Sequence, residues 1–132
     1  MKRSFLVMLL FGAFMLAGIP TIKADGQHHH HAKQTATVNF EQQYRLKGAL
    51  LFGEYLVVHD DDAKARGEDC VFFYQVKPDG TKKLVTSYHC QAVKRAKAEK
   101  FSILAFRRQT PWSVADIEEI QFAGSTEGHR VS

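Results

Sequence analysis

The chain has 132 residues, 45% of them hydrophobic, with 18 Lys+Arg against 14 Asp+Glu and two cysteines. That length holds one domain with a single modest core. Lys2, Arg3 and Lys23 belong to the first two dozen residues; without them 15 of the 18 basic residues face the same 14 acidic ones. A near-neutral chain whose one basic cluster is KRAKAEK excludes a surface that binds nucleic acid by releasing counterions.

In chain order, MKRS is followed by an unbroken apolar run from Phe5 to Ile19 and then by PTIKA. A charged start, an apolar middle and a small residue at Ala24 make the layout of a cleaved signal peptide over 1–24. The run is shorter than the roughly 20 apolar residues of a membrane-spanning helix, so no stable span is expected after cleavage. The expected destination is the periplasm or the cell exterior. Two cysteines in such an oxidising compartment are expected to form a disulfide.

Residues 25–35, DGQHHHHAKQT, have no apolar period and are read as a flexible lead-in. They carry His28, His29, His30 and His31, and neutral imidazoles in a pliable tract suit Cu, Ni or Zn. All three methionines (Met1, Met8 and Met15) lie in the leader. A blue-copper centre with a methionine axial ligand therefore has no support.

The remainder, 36–132, reads as short apolar runs rich in Val, Tyr, Phe and Leu: ATVNF, YRLKGALL, EYLVVH, CVFFYQV, KLVTSYHC, FSILAFRR and IEEIQFA. Runs at this spacing predict an all-β domain, a single antiparallel β-sandwich or partly open β-barrel of about six to seven short strands. AVKRAKAEK has helix-favouring composition but is read as a solvated connection. FAGSTEGHRV is read as a Gly-rich polar tail, and Trp112 as an aromatic packed under the sheet. The carboxylates after His59 in VVHDDD do not match the alternating ligands and central Gly of a calcium loop. They are read as a solvated loop.

The stretch LKGALLFGEYLVVH, with Gly53, Tyr55 and Val57, resembles a pattern of small exported β-proteins from environmental bacteria. The resemblance implies an antiparallel all-β domain. It implies no particular activity and assigns no functional residue.

CVFFYQVKPDGTKKLVTSYHC predicts a hairpin. Pro78 presets φ for a turn and Gly80 accepts the positive φ that follows. Alternation places Cys70, Phe72, Tyr74 and Val76 on one face, and Leu84, Thr86, Tyr88 and Cys90 on one face. One register sets Cys70 opposite Cys90. A tighter one leaves them diagonal, about 7–8 Å apart, beyond the span of about 4.4–6.8 Å that a disulfide bridges unless a bulge intervenes. In either register His89 points away from Cys90.

For chemistry, His59, His89 and His129 are the histidines outside the lead-in that could complete a metal site. No HExxH, paired CxxC, CxxCH or GxSxG is present, so zinc protease, structural zinc, covalent haem and α/β-hydrolase chemistry lack their motifs. Ser125, Glu127 and His129 are close in sequence, but a triad is defined by roles in space. The leading expectation is a non-catalytic binding or structural module of the envelope or secreted fraction, contacting a small ligand or an envelope protein without a cofactor. The alternative is a periplasmic protein that binds Cu, Ni or Zn through His28–His31, helped by His59, His89 or His129.

Overall fold

The structure, a computed structural model, describes residues 33–108, 110 and 112–132. The leader and the His28–His31 tract lie outside the described residues. The strands are β1 (Gln34–Leu46), β2 (Ala49–His59), β3 (Val71–Val76), β4 (Lys82–Tyr88), β5 (Cys90–Lys94), β6 (Ser102–Phe106), β7 (Ala115–Gln121) and β8 (Glu127–Val131). A single short helix, α1 (Asp61–Ala65), lies between β2 and β3. The strands form one sheet in the order β4-β3-β2-β1-β7-β8-β5, with β6 paired to β7. It curls into a half-barrel. The all-β expectation holds, as a single curled sheet of eight strands. Every pairing is antiparallel except β1 with β7, which run parallel through Tyr44↔Ala115 and Arg45↔Asp116.

The long β1–β2 hairpin departs from the expected elements. YRLKGALL, read as one strand, is cut by a two-residue turn at Lys47 and Gly48, with φ of 48° and 80°. Two positive φ values in succession match the right-handed twist of the flanking strands, and the apolar pattern on either side hides the turn. β1 itself runs on from ATVNF through FEQQY, taking in Gln34 and Thr35 from the expected lead-in. It bulges on the way: Phe40 faces Gly53 while Tyr44 faces Leu51. Gly53, at φ 84°, supplies a backbone shape that a side chain would resist.

Beyond the bulge, β2 alternates cleanly. Leu51, Tyr55, Val57 and His59 are buried on one face. They meet Phe40 and Leu46 of β1, Val71 and Phe73 of β3, Tyr88 of β4, Ile117 and Ile120 of β7, and Phe122. Burying each large apolar side chain contributes about 1.5–3 kcal/mol, so this shared face holds the curl together.

The β3–β4 hairpin turns as expected. Gly80 has φ 83°, and its N–H donates to the Lys77 carbonyl at 2.8 Å. The register starts tight, with Val76↔Lys82 and Tyr74↔Leu84, and shifts by one residue to Phe73↔Thr86 and Val71↔Tyr88. That bulge brings Cys70 and Cys90 to a Cα separation of 6.0 Å, and they are disulfide-bonded. The faces differ from expectation, because Cys70 precedes the strand. Its carbonyl accepts from the Asp60 N–H and its own N–H donates to the Tyr88 carbonyl. Val71 and Phe73 point inward, while Phe72 and Tyr74 stack on the other face; Leu84 is exposed.

KLVTSYHC is likewise two strands. The chain breaks at His89, so that β4 pairs with β3 and β5 pairs with β8. The expected polar tail contains β8. AVKRAKAEK supplies the end of β5 and then a connection, without helix. Trp112, expected to pack under the sheet, is 88% exposed because it sits in the β6–β7 connection beyond the strands. The carboxylate run after His59, expected as a solvated loop, instead opens the helix α1. Asp60 caps it, its Oδ1 accepting from the N–H groups of Asp62 and Ala63 at 3.0 and 3.2 Å. No helix among the described residues is long and apolar enough to cross a membrane.

Candidate metal centre

His59 is the last residue of β2 and falls on its inward face, in step with Leu51, Tyr55 and Val57. His129 is the middle residue of β8, opposite Ile120 of β7 and Ala92 of β5. The curl brings the two imidazoles together with ring centroids 3.9 Å apart and planes at 26°. They are 2% and 1% exposed. Phe122 packs against both rings, and Phe101 packs edge-on against Phe122, which makes the floor of the site apolar.

Among the described residues, none of the four ring nitrogens has a hydrogen-bond partner. A neutral imidazole has one N–H to donate and one lone pair to fill. Leaving such a buried group unsatisfied costs about 1–3 kcal/mol, so two adjacent ones call for a physical reason. Carboxylates lie close by without bonding: Asp61 Oδ1 is 3.6 Å from His59 Nδ1, and Glu127 Oε1 is 3.6 Å from His129 Nδ1. Lys64 Nζ approaches Glu127 Oε1 at 3.5 Å. An open cavity of about 160 Å³, lined by Gln34, His59, Asp61, Ser125 and Glu127, borders the pair on the His59 side.

Burial holds the His59 imidazole below its ordinary range against the pull of Asp61. Burial, reinforced by His59, pushes His129 down to about 4. Both rings are thus neutral near pH 7, the form that ligates metals. The third member of the cluster is Cys90 of β5. One ligand atom each from His59, Cys90 and His129 lies within 4.8 Å of the others.

The sequence candidates separate accordingly. His59 and His129 come together with Cys90. His89, one residue before Cys90, turns away, its side chain 55% exposed and its Nε2 3.4 Å from Asp69 Oδ1. His28, His29, His30 and His31 lie outside the described residues. The Ser125–Glu127–His129 grouping is not a triad: Ser125 Oγ accepts from the Glu127 N–H and donates to the Glu127 carbonyl, and His129 bonds neither. In the sequence Asp61 stands only in a run that fails as a calcium loop and Glu127 only in a group that fails as a triad; the fold brings both to the histidines. Their signal was adjacency in sequence to a buried histidine, two residues away in each case.

Two further features frame the site. Tyr88 reaches across the core from β4, its hydroxyl donating to the His129 carbonyl at 2.8 Å; burial pushes its phenol upward. On the far side of β8, Glu119 accepts two hydrogen bonds from Arg95, at 2.7 and 2.8 Å. That contact holds its carboxyl below the usual range against the opposing effect of burial.

Elsewhere, Val38, Phe40, Tyr44, Phe101 and Ile103 line an open groove between β1 and β6 of about 520 Å³. Comparison of the chain with protein-family models, curated proteins and solved structures gives no match.

Proposed function

We propose that this protein is a non-catalytic, exported metal-binding domain that holds one divalent transition-metal cation between His59 and His129. The observation that carries this reading is the pair of buried, stacked imidazoles whose four ring nitrogens make no hydrogen bond among the described residues, with one carboxylate 3.6 Å from each Nδ1. A cation of the Zn, Cu or Ni class accepts imidazole nitrogen and carboxylate oxygen together. Asp61 and Glu127 would supply the oxygens and balance the ion's charge, and the cavity beside them gives the entry path. The leader-like start of the chain and the Cys70–Cys90 disulfide support export to an oxidising compartment.

The test is a titration of untagged, metal-stripped protein with Zn(II), Cu(II) and Ni(II), read as stoichiometry and thermal midpoint. One cation per chain is expected. At a hundred times the dissociation constant it should add about 2.7 kcal/mol of stability. His59→Leu and His129→Leu should each abolish that gain. Replacing His28–His31 with Ala should leave it in place, because the tract's own affinity is separate. A stability gain that survives both single leucine variants, or disappears only with the tract, would sink the reading.

The β1–β6 groove favours a second reading, a small apolar ligand seated against Phe40, Tyr44 and Phe101. Its check is quenching of tyrosine fluorescence by an aromatic probe, which Phe40→Ala should weaken.

A further inference from the structure

The disulfide does more than close a loop, because one of its sulfurs belongs to the histidine cluster. Cys90 Sγ shares the 4.8 Å neighbourhood of the His59 and His129 nitrogens. Cys70 is 1% exposed, and its Sγ lies 3.7 Å from the Tyr88 carbonyl. The two sulfurs therefore have different prospects once the bond is broken. A Cys70 thiol already has a carbonyl to receive its S–H. A Cys90 thiol has two imidazoles and no comparable carbonyl contact.

Resting on the metal reading above, we infer that the Cys70–Cys90 pair is a redox gate on the site. Oxidised, the site offers nitrogen and oxygen ligands alone. Reduced, it adds the Cys90 thiolate and becomes a His₂Cys centre for a thiophilic d¹⁰ cation, Zn(II) or Cu(I). Tetrahedral zinc with nitrogen and sulfur ligands holds those atoms about 3.3–3.8 Å apart, so the cluster needs a contraction of about 1 Å.

The reductant is a dithiol. Its thiolate attacks Sγ of Cys90, the less buried of the two residues. The S–S bond breaks, and its electron pair leaves on Cys70 Sγ, which takes up a proton. The second thiol of the reductant then attacks the mixed disulfide. Cys90 is released as a thiolate, and the reductant departs as its own disulfide. Two electrons and two protons pass to the protein if Cys90 is also protonated. The cation then displaces that proton and binds the sulfur.

The test compares untagged protein with its disulfide intact against protein reduced by a phosphine and freed of it under anaerobic conditions. Each form is titrated with Zn(II), and with Co(II) as a spectroscopic probe. Reduction should raise Zn(II) affinity at least 100-fold and bring out thiolate-to-cobalt charge-transfer absorption. That absorption should be absent from Cys90→Ser, retained in Cys70→Ser, and weakened in reduced His59→Leu.

Equal Zn(II) affinity in the two forms would overturn the gate while leaving the histidine site standing. Failure of the oxidised form to bind would overturn the histidine site itself. Retained absorption in Cys90→Ser, or its loss from Cys70→Ser alone, would overturn the assignment of Cys90. If the reduced apoprotein unfolds, Zn(II) should restore its β-sheet circular dichroism, and more in Cys70→Ser than in Cys90→Ser. No recovery in the reduced wild-type protein would overturn the proposal as well.

Discussion

Two buried polar clusters flank β8, and they solve the same problem differently. On one side Glu119, 4% exposed, is met by both arms of Arg95 and approached by Arg130 at 3.7 Å. On the other, His59 and His129 are equally buried, and their ring nitrogens make no hydrogen bond among the described residues. The first cluster is satisfied from within the chain, as buried charge must be to persist. The second has its carboxylates positioned just beyond hydrogen-bond reach and a cavity at its edge. A fold able to satisfy one buried group with two short bonds could satisfy another. Its not doing so at the histidines is the difference on which the proposed metal site rests.

The comparison breaks most visibly at Arg95. Arg95→Ala leaves the Glu119 carboxylate buried without its main partner. The loss falls on the Glu119 carboxylate, the buried member of the pair, and is moderated by the exposure of Arg95 and the fallback of Arg130. Thermal unfolding should register a clear fall in the midpoint. An unchanged midpoint would mean that the pair contributes nothing.

Gly128→Ala comes next. A Cβ there would collide with Glu119 Oε1, and overpacking of this kind costs about 1–3 kcal/mol. Combined with Glu119→Ala the penalty should shrink, which a double-mutant cycle measures.

Acid should distinguish the clusters further. The folded His129 sits at about 4 against an ordinary 6.5. In the unfolded chain it therefore binds a proton at a pH where the folded chain does not. Stability contributed by the neutral form is complete above pH 6.5 and is lost as pH falls through about 4. Metal-free protein followed by denaturant midpoint should weaken over that window, and His129→Leu should flatten the slope.

The smallest effect sharpens the contrast most. In metal-free protein, His129→Leu removes an unsatisfied polar group and restores an apolar one. It should be neutral or stabilising by up to about 1 kcal/mol, opposite in sign to Arg95→Ala. A loss above about 2 kcal/mol would show that the imidazole is already satisfied in solution.

Sequence alone carried the local half of this architecture. The turn at Pro78–Gly80 follows from turn chemistry, and period-2 alternation behind Tyr55 and Val57 holds an inward step for His59 that was not among the expected features. Where the pattern failed, tertiary context had overridden it. Lys47 adopts a positive φ inside an apolar run, and β8 reads as polar because its two buried positions, on opposite faces, are Gly128 and His129. Gly128 must be small to clear Glu119, which no neighbouring residue announces. The partnership of His59 with His129 depends on β1 lying beside β7, a pairing of two residues on each strand. Local periodicity carries no information about so distant a contact.

That short parallel pairing has a mechanical meaning. It is the seam between a meander of β1 to β4 and a second unit of β5 to β8. Sheets open preferentially where few backbone bonds cross, so the two units are the natural subglobal unfolding blocks. The Tyr88–His129 bond and the Cys70–Cys90 link both cross this seam, and so does the His59–His129 pair. On the proposed metal reading, a cation held there would act as a rivet between two folding units. Its clearest signature would be slowed amide exchange on both sides of the seam at once, far from the ligands themselves.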